Sequence, residues 1–204
     1  MKQPCQSTFD KQGYVPIAIG RRVPSDLSVK KINYKQMNYF RKYNSPVGVI
    51  TLAGTDKNLT GLWIEGQNYF PEWGTDVELK EDLPVFKQTI DWLERYFRGE
   101  NPGALPPVAP EGTEFRKQVW KVLEKIPYGE LTTYGEIAKQ ISKQQNGKFI
   151  SPRAVGGAVG HNPICIIIPC HRVIGSDGSL TGYAGGMDVK VRLLETEGMD
   201  VTPL

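Results

Sequence analysis

Apolar positions fall first into short β-branched or aromatic runs and later into helical spacings. Residues 38–43 carry aromatics suited to a strand, Val49 to Ala53 form a second run and Leu59 to Ile64 a third. Ser45-Pro46-Val47-Gly48 and Asp56-Lys57-Asn58 separate them as turns, so a β-meander is expected. Phe86, Ile90, Leu93 and Phe97 recur at helical spacing and predict a helix from about Leu83 to Arg98, ended by Gly99; this stripe reads as core without chemistry. Pro102, Pro106, Pro107 and Pro110 make a stiff linker and a domain boundary.

Beyond the linker the pattern turns helical. Phe115, Val119, Val122, Leu123 and Ile126 mark an amphipathic helix with Thr113 as its cap, broken by Pro127-Tyr128-Gly129. Thr133 and Glu136 form a capping box, so a helix is expected from Tyr134 to about Ile141. A polar loop, residues 143–148, leads to Ser151 and Pro152, a cap and first-turn pair that opens another helix. That helix holds Gly156, Gly157 and Gly160, each costing roughly 1 kcal/mol relative to Ala. A close-packed neighbouring helix explains such glycines, and so does a nucleic-acid backbone that must come near. Two short capped helices around a loop resemble a helix-turn-helix. Arg153 is the second helix's one long cation, which points to binding with little base selectivity.

The run Ile166-Ile167-Ile168 reads as a buried strand, stopped by Pro169 and resumed at Val173-Ile174. Between them Cys170, His171 and Arg172 occupy a stiff turn at the rim of the core, where imidazole and guanidinium favour a thiolate. Inert packing is the ordinary role of a buried cysteine and stands beside that reading. Residues 175–179 make a hairpin-type turn, residues 180–186 a glycine-rich loop without the lysine of a phosphate loop, and Asp188 caps a last helix ending at Gly198. Val189, Leu193 and Glu197 share a face of it. Glu197 therefore needs a partner, with His171 the natural candidate, unless it lies in water at a frayed end.

Composition narrows the classes. The chain has 204 residues, 39% of them hydrophobic, and a net charge of +3, enough for a proper core and compatible with a nucleic-acid surface. No apolar run approaches the roughly 20 residues of a membrane span, and the N-terminus lacks a signal core, so a reducing cytoplasmic location and no membrane partner are expected. Three cysteines give no disulfide framework. Cys165 and Cys170, five apart in a strand, would stand about 16 Å from each other, too far to bridge. The spacing of His161, Cys165, Cys170 and His171 matches no paired zinc pattern, so no metal is expected.

Pro169-Cys170-His171-Arg172-Val173, preceded by His161-Asn162-Pro163 and followed by Thr181-Gly182-Tyr183-Ala184-Gly185-Gly186, resembles the O6-alkylguanine-DNA alkyltransferases, or methylated-DNA–protein-cysteine methyltransferases. The resemblance runs from about Met37 to Glu197. It implies direct reversal of DNA damage: duplex DNA bound at the minor groove by a helix-turn-helix, the damaged guanine flipped out, and its alkyl group moved from O6 to the protein's cysteine. Carried over, Cys170 is the acceptor, and His171 (through a water) and Glu197 form its thiolate. Tyr134 helps turn out the nucleotide, Arg153 fills the gap and Asn162 braces the turn. Ser151, Ala154, Gly156 and Gly157 lie on the DNA face, and Tyr183, Ala184 and Val173 line the guanine pocket. No cofactor is implied, and a monomer is expected.

The fold expected is α/β. Residues 1–36 form an extension. Residues 37–108 form a small antiparallel sheet with a helix, and residues 109–204 a mostly helical, winged helix-turn-helix-like catalytic domain. Ala184 stands where some members have Ser, the N-terminal zinc ligands of some members are missing, and the loop at residues 143–150 is long. Three rivals remain: a Cys-His hydrolase, a winged-helix transcription factor and a lesion sensor that transfers nothing. The sensor is the principal alternative.

Overall fold

The computed structural model describes residues 39–71, 77–180 and 182–202. The N-terminal extension, with Cys5, lies outside the described residues, as does Thr181. β1 (Tyr39–Ser45), β2 (Gly48–Gly54) and β3 (Leu59–Ile64) form the expected antiparallel meander. The β1–β2 turn is tight, pairing Ser45 with Gly48, and Gly48 has φ +114°, a value that favours glycine. The sequence pattern did not foretell β4 (Glu78–Leu79), which adds to β1 in parallel and gives the order β3-β2-β1-β4.

α1 (Pro84–Phe97) covers this sheet, opening with Pro84 in its first turn. Its buried face is Val85, Phe86, Thr89, Trp92, Leu93 and Tyr96. Ile90 and Phe97 are only its half-buried edge, so the true stripe is turned toward Tyr96.

α2 (Glu114–Leu123) is capped by Thr113, whose hydroxyl accepts from Arg116 N. β5 (Thr132–Thr133) leads into α3 (Tyr134–Gln144), which opens with the full Thr133–Glu136 capping box and runs three residues past Ile141. α4 (Pro152–Gly160) has Ser151 accepting from Ala154 N. β6 (Val173–Ile174) pairs in parallel with β5, so the turn at residues 175–179 closes no hairpin. α5 (Met187–Thr196) starts from Gly186, not from Asp188, which sits inside the first turn with no capping bond.

The outer edge of β3 is covered twice. Leu59 pairs with the proline linker, donating to Pro107 O at 2.8 Å and accepting from Ala109 N at 2.8 Å. Leu62 pairs with the segment that leads to Cys170, donating to Pro163 O at 2.8 Å and accepting from Cys165 N at 3.0 Å. A single apolar cluster runs from Ile50 and Leu62 through Phe86 and Leu93 to Val119, Ile137, Val155, Ile168 and Leu193. Among the described residues, no helix is long and apolar enough to cross a membrane.

Candidate active site and nucleic-acid face

The chain enters the site from the end of α4. Asn162, almost fully buried, organises the turn. Its Oδ1 accepts from Ile164 N at 3.0 Å, while its Nδ2 donates to Ile168 O at 2.7 Å and reaches Cys170 Sγ at 3.1 Å. Residues 165–168 are not the strand their composition suggests. After one bridge at Ile164 the backbone bonds to itself: Ile167 N to Cys165 O at 2.8 Å, Ile168 N to Ile164 O at 3.0 Å and Cys170 N to Ile168 O at 2.8 Å. Ile166 takes φ +69°, a left-handed conformation that costs a β-branched residue about 1–3 kcal/mol. The apolar run is buried, as expected, but it is coiled. A single 3₁₀ turn, Cys170–Arg172, presents the reactive side chains.

His171 and Glu197 meet in the core. His171 Nε2 lies 2.6 Å from Glu197 Oε1, with both side chains wholly buried. Arg172 does not face the thiol. It clamps Glu197, with Nε 2.9 Å from Oε2 and an η-nitrogen 3.0 Å from Oε1, and its other η-nitrogen donates to Ile126 O at 2.7 Å. Gly129 N adds a bond to Oε2 at 3.0 Å. Tyr96, reaching in from α1, donates its hydroxyl to Glu197 Oε1 at 2.9 Å and stands 3.3 Å from His171 Nε2. Burial alone would raise the Glu197 carboxyl, but the bonds from His171 and Arg172 override it and hold its pKa at about 2. Burial pushes His171 below the usual imidazole range despite Glu197. The imidazole is therefore neutral, Nε2–H donates to Glu197, and Nδ1 is a bare acceptor without a hydrogen-bond partner among the described residues.

Cys170 is buried, and its thiol is pulled below its ordinary value. Hydrogen bonding by Cys165 comes first; burial opposes it, and Asn162 and the Lys190 ammonium add to it. The interaction with Cys165 overturns the extended-strand separation, because the coiled turn brings the two thiols together. Lys190 is wholly buried on α5, and its Nζ donates to Val173 O at 2.6 Å. Burial depresses it to about 8. Among the described residues no group of three or more His, Cys, Asp and Glu is placed to hold a metal ion.

Tyr134 begins α3, and burial and Cys170 both raise its hydroxyl above its ordinary value. With Pro152, Arg153, Gly156 and Gly182 it lines an open cavity of about 350 Å³. Gly182 has φ +89°, and a Cβ there would stand 2.9 Å from the Tyr134 hydroxyl, so this wall admits glycine alone. Arg153, Ala154 and Gly157 are exposed, Ser151 and Gly156 half-buried, on the outer face of α4. A Cβ at Gly157 or Gly160 would meet nothing within 4 Å, so no neighbouring helix of the described residues demands those glycines. Beneath α4 the backbone is held from α2, where Trp120 Nε1 donates to Ala158 O at 2.9 Å. Tyr183 is buried, with its hydroxyl unpartnered among the described residues. Val173 is buried, and Ala184 is half-buried with its carbonyl accepting from Asn68 N at 2.9 Å.

The structure thus gathers Cys170, His171, Glu197, Asn162, Tyr183 and Val173 around one turn. Tyr134, Arg153, Gly156 and Gly157 lie on the adjoining open face. Tyr96, Lys190, Cys165 and Gln67 join the site without having been foreseen. Tyr96 had one available signal: it lies one helical step from Leu93 and Trp92 on an apolar stripe, where a buried hydroxyl demands a partner.

Comparison with known proteins fits this arrangement. A profile described as "6-O-methylguanine DNA methyltransferase, ribonuclease-like domain" matches residues 38–103, and one described as "6-O-methylguanine DNA methyltransferase, DNA binding domain" matches residues 114–199. The methylated-DNA–protein-cysteine methyltransferase of Methanosarcina acetivorans is 46% identical over 161 residues, 78% of this chain and 98% of that protein. That of Haemophilus influenzae is 44% identical over 162 residues, 78% of this chain and 86% of that protein. The crystal structure of Mycobacterium tuberculosis OGT in complex with DNA is similar with a TM-score of 0.68 and 44% identity, over 78% of this chain and 92% of that one. With both profiles matched in order and a buried Cys-His-Glu cluster at the end of the second, the chain belongs to the 6-O-methylguanine-DNA methyltransferase family.

Proposed function

We propose that this protein repairs DNA by moving the alkyl group of O6-alkylguanine onto Cys170, and is spent after one reaction. The observation that carries the reading is the buried cluster itself: a thiol below its ordinary pKa next to a neutral imidazole whose far nitrogen is tied to Glu197. His171 Nδ1 takes the Cys170 proton through one intervening water. Glu197 does not receive it, since a carboxyl held near 2 is a poor base; it orients the ring and stabilises the imidazolium. The thiolate attacks the alkyl carbon, the C–O6 bond breaks, and the electron pair goes to the guanine, which Tyr134 neutralises by donating its hydroxyl proton. The product is a thioether, which no group nearby cleaves.

Duplex DNA is the partner. Its minor groove lies on the smooth face of α4, where Gly156, Gly157, Ala154 and Ser151 let the backbone approach and Arg153 enters the space the base leaves. The flipped base occupies the pocket of Tyr183, Val173 and the backbone at Ala184. Flipping costs a few kcal/mol, least for a badly paired lesion. Residues 37–108 and 109–204 act as sheet and catalytic domains, a division the profiles over 38–103 and 114–199 support, and the chain works as a cytoplasmic monomer without cofactor.

The test is the intact-protein mass after incubation with a duplex carrying one O6-methylguanine. One methyl per chain, mapped to Cys170, absent in Cys170→Ser and matched by restored guanine, is the expected result. Tight lesion binding with no gain in mass would identify a sensor instead.

A further inference from the structure

The long loop between α3 and α4 has no part in the mechanism above, yet it is held in one shape. α3 gives way at Gln145, whose Nε2 donates to Gln118 Oε1 of α2 at 2.7 Å. Gly147 N donates to Ser142 O at 2.9 Å and Lys148 N to Gln145 O at 3.1 Å. Asn146 at φ +54° and Gly147 at φ +82° make the reversal, a conformation that both residue types tolerate. Ile150 then packs against the main apolar cluster, and Ser151 caps α4. Between these anchors Phe149 is 83% exposed, the most exposed large apolar side chain among the described residues. A fixed backbone therefore presents a phenyl ring to solvent just before Pro152 and Arg153, which line the open cavity they share with Tyr134.

The charge around the ring has one sign. Residues 137–176 contain no Asp or Glu. Lys139, Lys143, Lys148 and Arg153 are exposed, and no ion pair of the described residues includes them. Unpaired cations around one apolar ring complement a polyanion whose grooves offer apolar walls, and α4 continues the same surface. We propose that Phe149 enters the minor groove of the duplex beside Arg153 and packs on sugar and base edges there, while Lys148 pairs with a flanking phosphate. This rests on the reading that α4 lies on duplex DNA. Apolar side chains that enter the groove in this way are a recurring device of minor-groove proteins. The two contacts act through different physics. A lysine on a phosphate releases counterions, so its effect fades with salt, whereas a buried phenyl ring removes apolar surface from water at any salt.

The test is fluorescence anisotropy of the full chain on a labelled duplex without a lesion, from about 50 to 200 mM salt. Phe149→Ala weakens binding at least about tenfold at every salt concentration, so its plot of log affinity against log salt runs parallel to the parent's. Phe149→Leu recovers most of the loss. Lys148→Gln flattens the slope by about 0.9 and approaches the parent at high salt. The melting temperature, and the pH profile of Cys170 labelling by iodoacetamide followed by peptide mass, stay those of the parent in all three. Parent-like binding by Phe149→Ala overturns the proposal. So does a loss that disappears at high salt, or one accompanied by a lower melting temperature or an altered labelling profile. A DNA-free dimer of the parent that Phe149→Ala dissolves, with DNA affinity unchanged, assigns the ring to a second copy of the chain and also overturns it. If Phe149→Ala shows the expected loss but the parent takes no methyl from a duplex carrying O6-methylguanine, the repair reading fails while the contact stands. If the methyl is taken and Phe149→Ala binds as the parent does, the contact alone fails.

Discussion

Glu197 sits just past the last turn of α5, yet it receives bonds from His171, Arg172, Tyr96 and Gly129. Its pKa of about 2, against 4.5 for a free carboxyl, makes the unfolded chain the better proton binder between those values. Its contribution is therefore complete above about pH 4.5 and is lost as pH falls toward 2, worth ~3 kcal/mol at the top of that window. His171, neutral in the fold and protonated below its ordinary pKa when unfolded, adds loss in the same direction. Thermal midpoints measured from pH 6 to 2 should drop steeply in the parent and weakly in Glu197→Gln. In Tyr96→Phe the carboxylate loses one charge-assisted donor, so stability at pH 7 should fall by about 1.5–3 kcal/mol in urea unfolding. The His171–Glu197 pair was legible in the sequence, because the i, i+4, i+8 register of Val189, Leu193 and Glu197 put a carboxylate in line with the core. The Tyr96 contact was not, since the hydroxyl comes from 75 residues upstream of His171 and 101 upstream of Glu197, and local periodicity says nothing about which element an apolar stripe packs on. Arg172 was read as a neighbour of the thiol from adjacency, but a 3₁₀ turn points successive side chains apart.

α4 separates folding from binding within one helix. Val155, Ala158 and Val159 are buried, while Gly157 faces open space. If its glycine served the fold, substitution would cost stability; instead any longer-chained helix former should gain about 0.5–1 kcal/mol from propensity. Gly157→Leu should therefore unfold at an equal or higher temperature yet bind duplex DNA at least about tenfold more weakly, ~1.4 kcal/mol, by fluorescence anisotropy at fixed salt. A lower melting temperature with unchanged DNA affinity would return the glycines to packing. The caps of α2, α3 and α4 could be read from Thr113, Thr133 and Ser151 because a side-chain cap is a local event. The strand expected at residues 166–168 could not be told from a turn, because a short apolar run reports burial and not conformation. What decides the matter lies outside the run itself: Asn162, six residues before Ile168, offers its carbonyl a partner that a sheet neighbour would otherwise supply.

At the scale of the whole molecule, β3 ties the sheet to the catalytic turn. Its outer edge would be a row of unpaired backbone groups, but Leu59 is paired by the linker at Pro107 and Ala109, and Leu62 by Pro163 and Cys165. The proline stretch read as a stiff linker and domain boundary is thus part of the ladder, and the turn that carries Cys170 is anchored on the sheet five residues upstream of the thiol. Gln67 and Tyr96 carry the same dependence further, since both belong to the first half and both touch groups around the acceptor. One apolar cluster holds residues of every helix from α1 to α5 together with β2 and β3. Two separately stable halves would each need a core of its own, and here neither can leave without exposing the other's buried face. Calorimetry on the full chain should therefore show one transition over residues 39–202 with equal van't Hoff and calorimetric enthalpies. Cys170 labelling should become pH-independent of His171 and Glu197 at that same midpoint and not earlier. Two transitions, with Cys170 keeping its native labelling profile after the first, would mean that the sheet is dispensable to the site and that the contacts of Gln67 and Tyr96 are ornaments of packing.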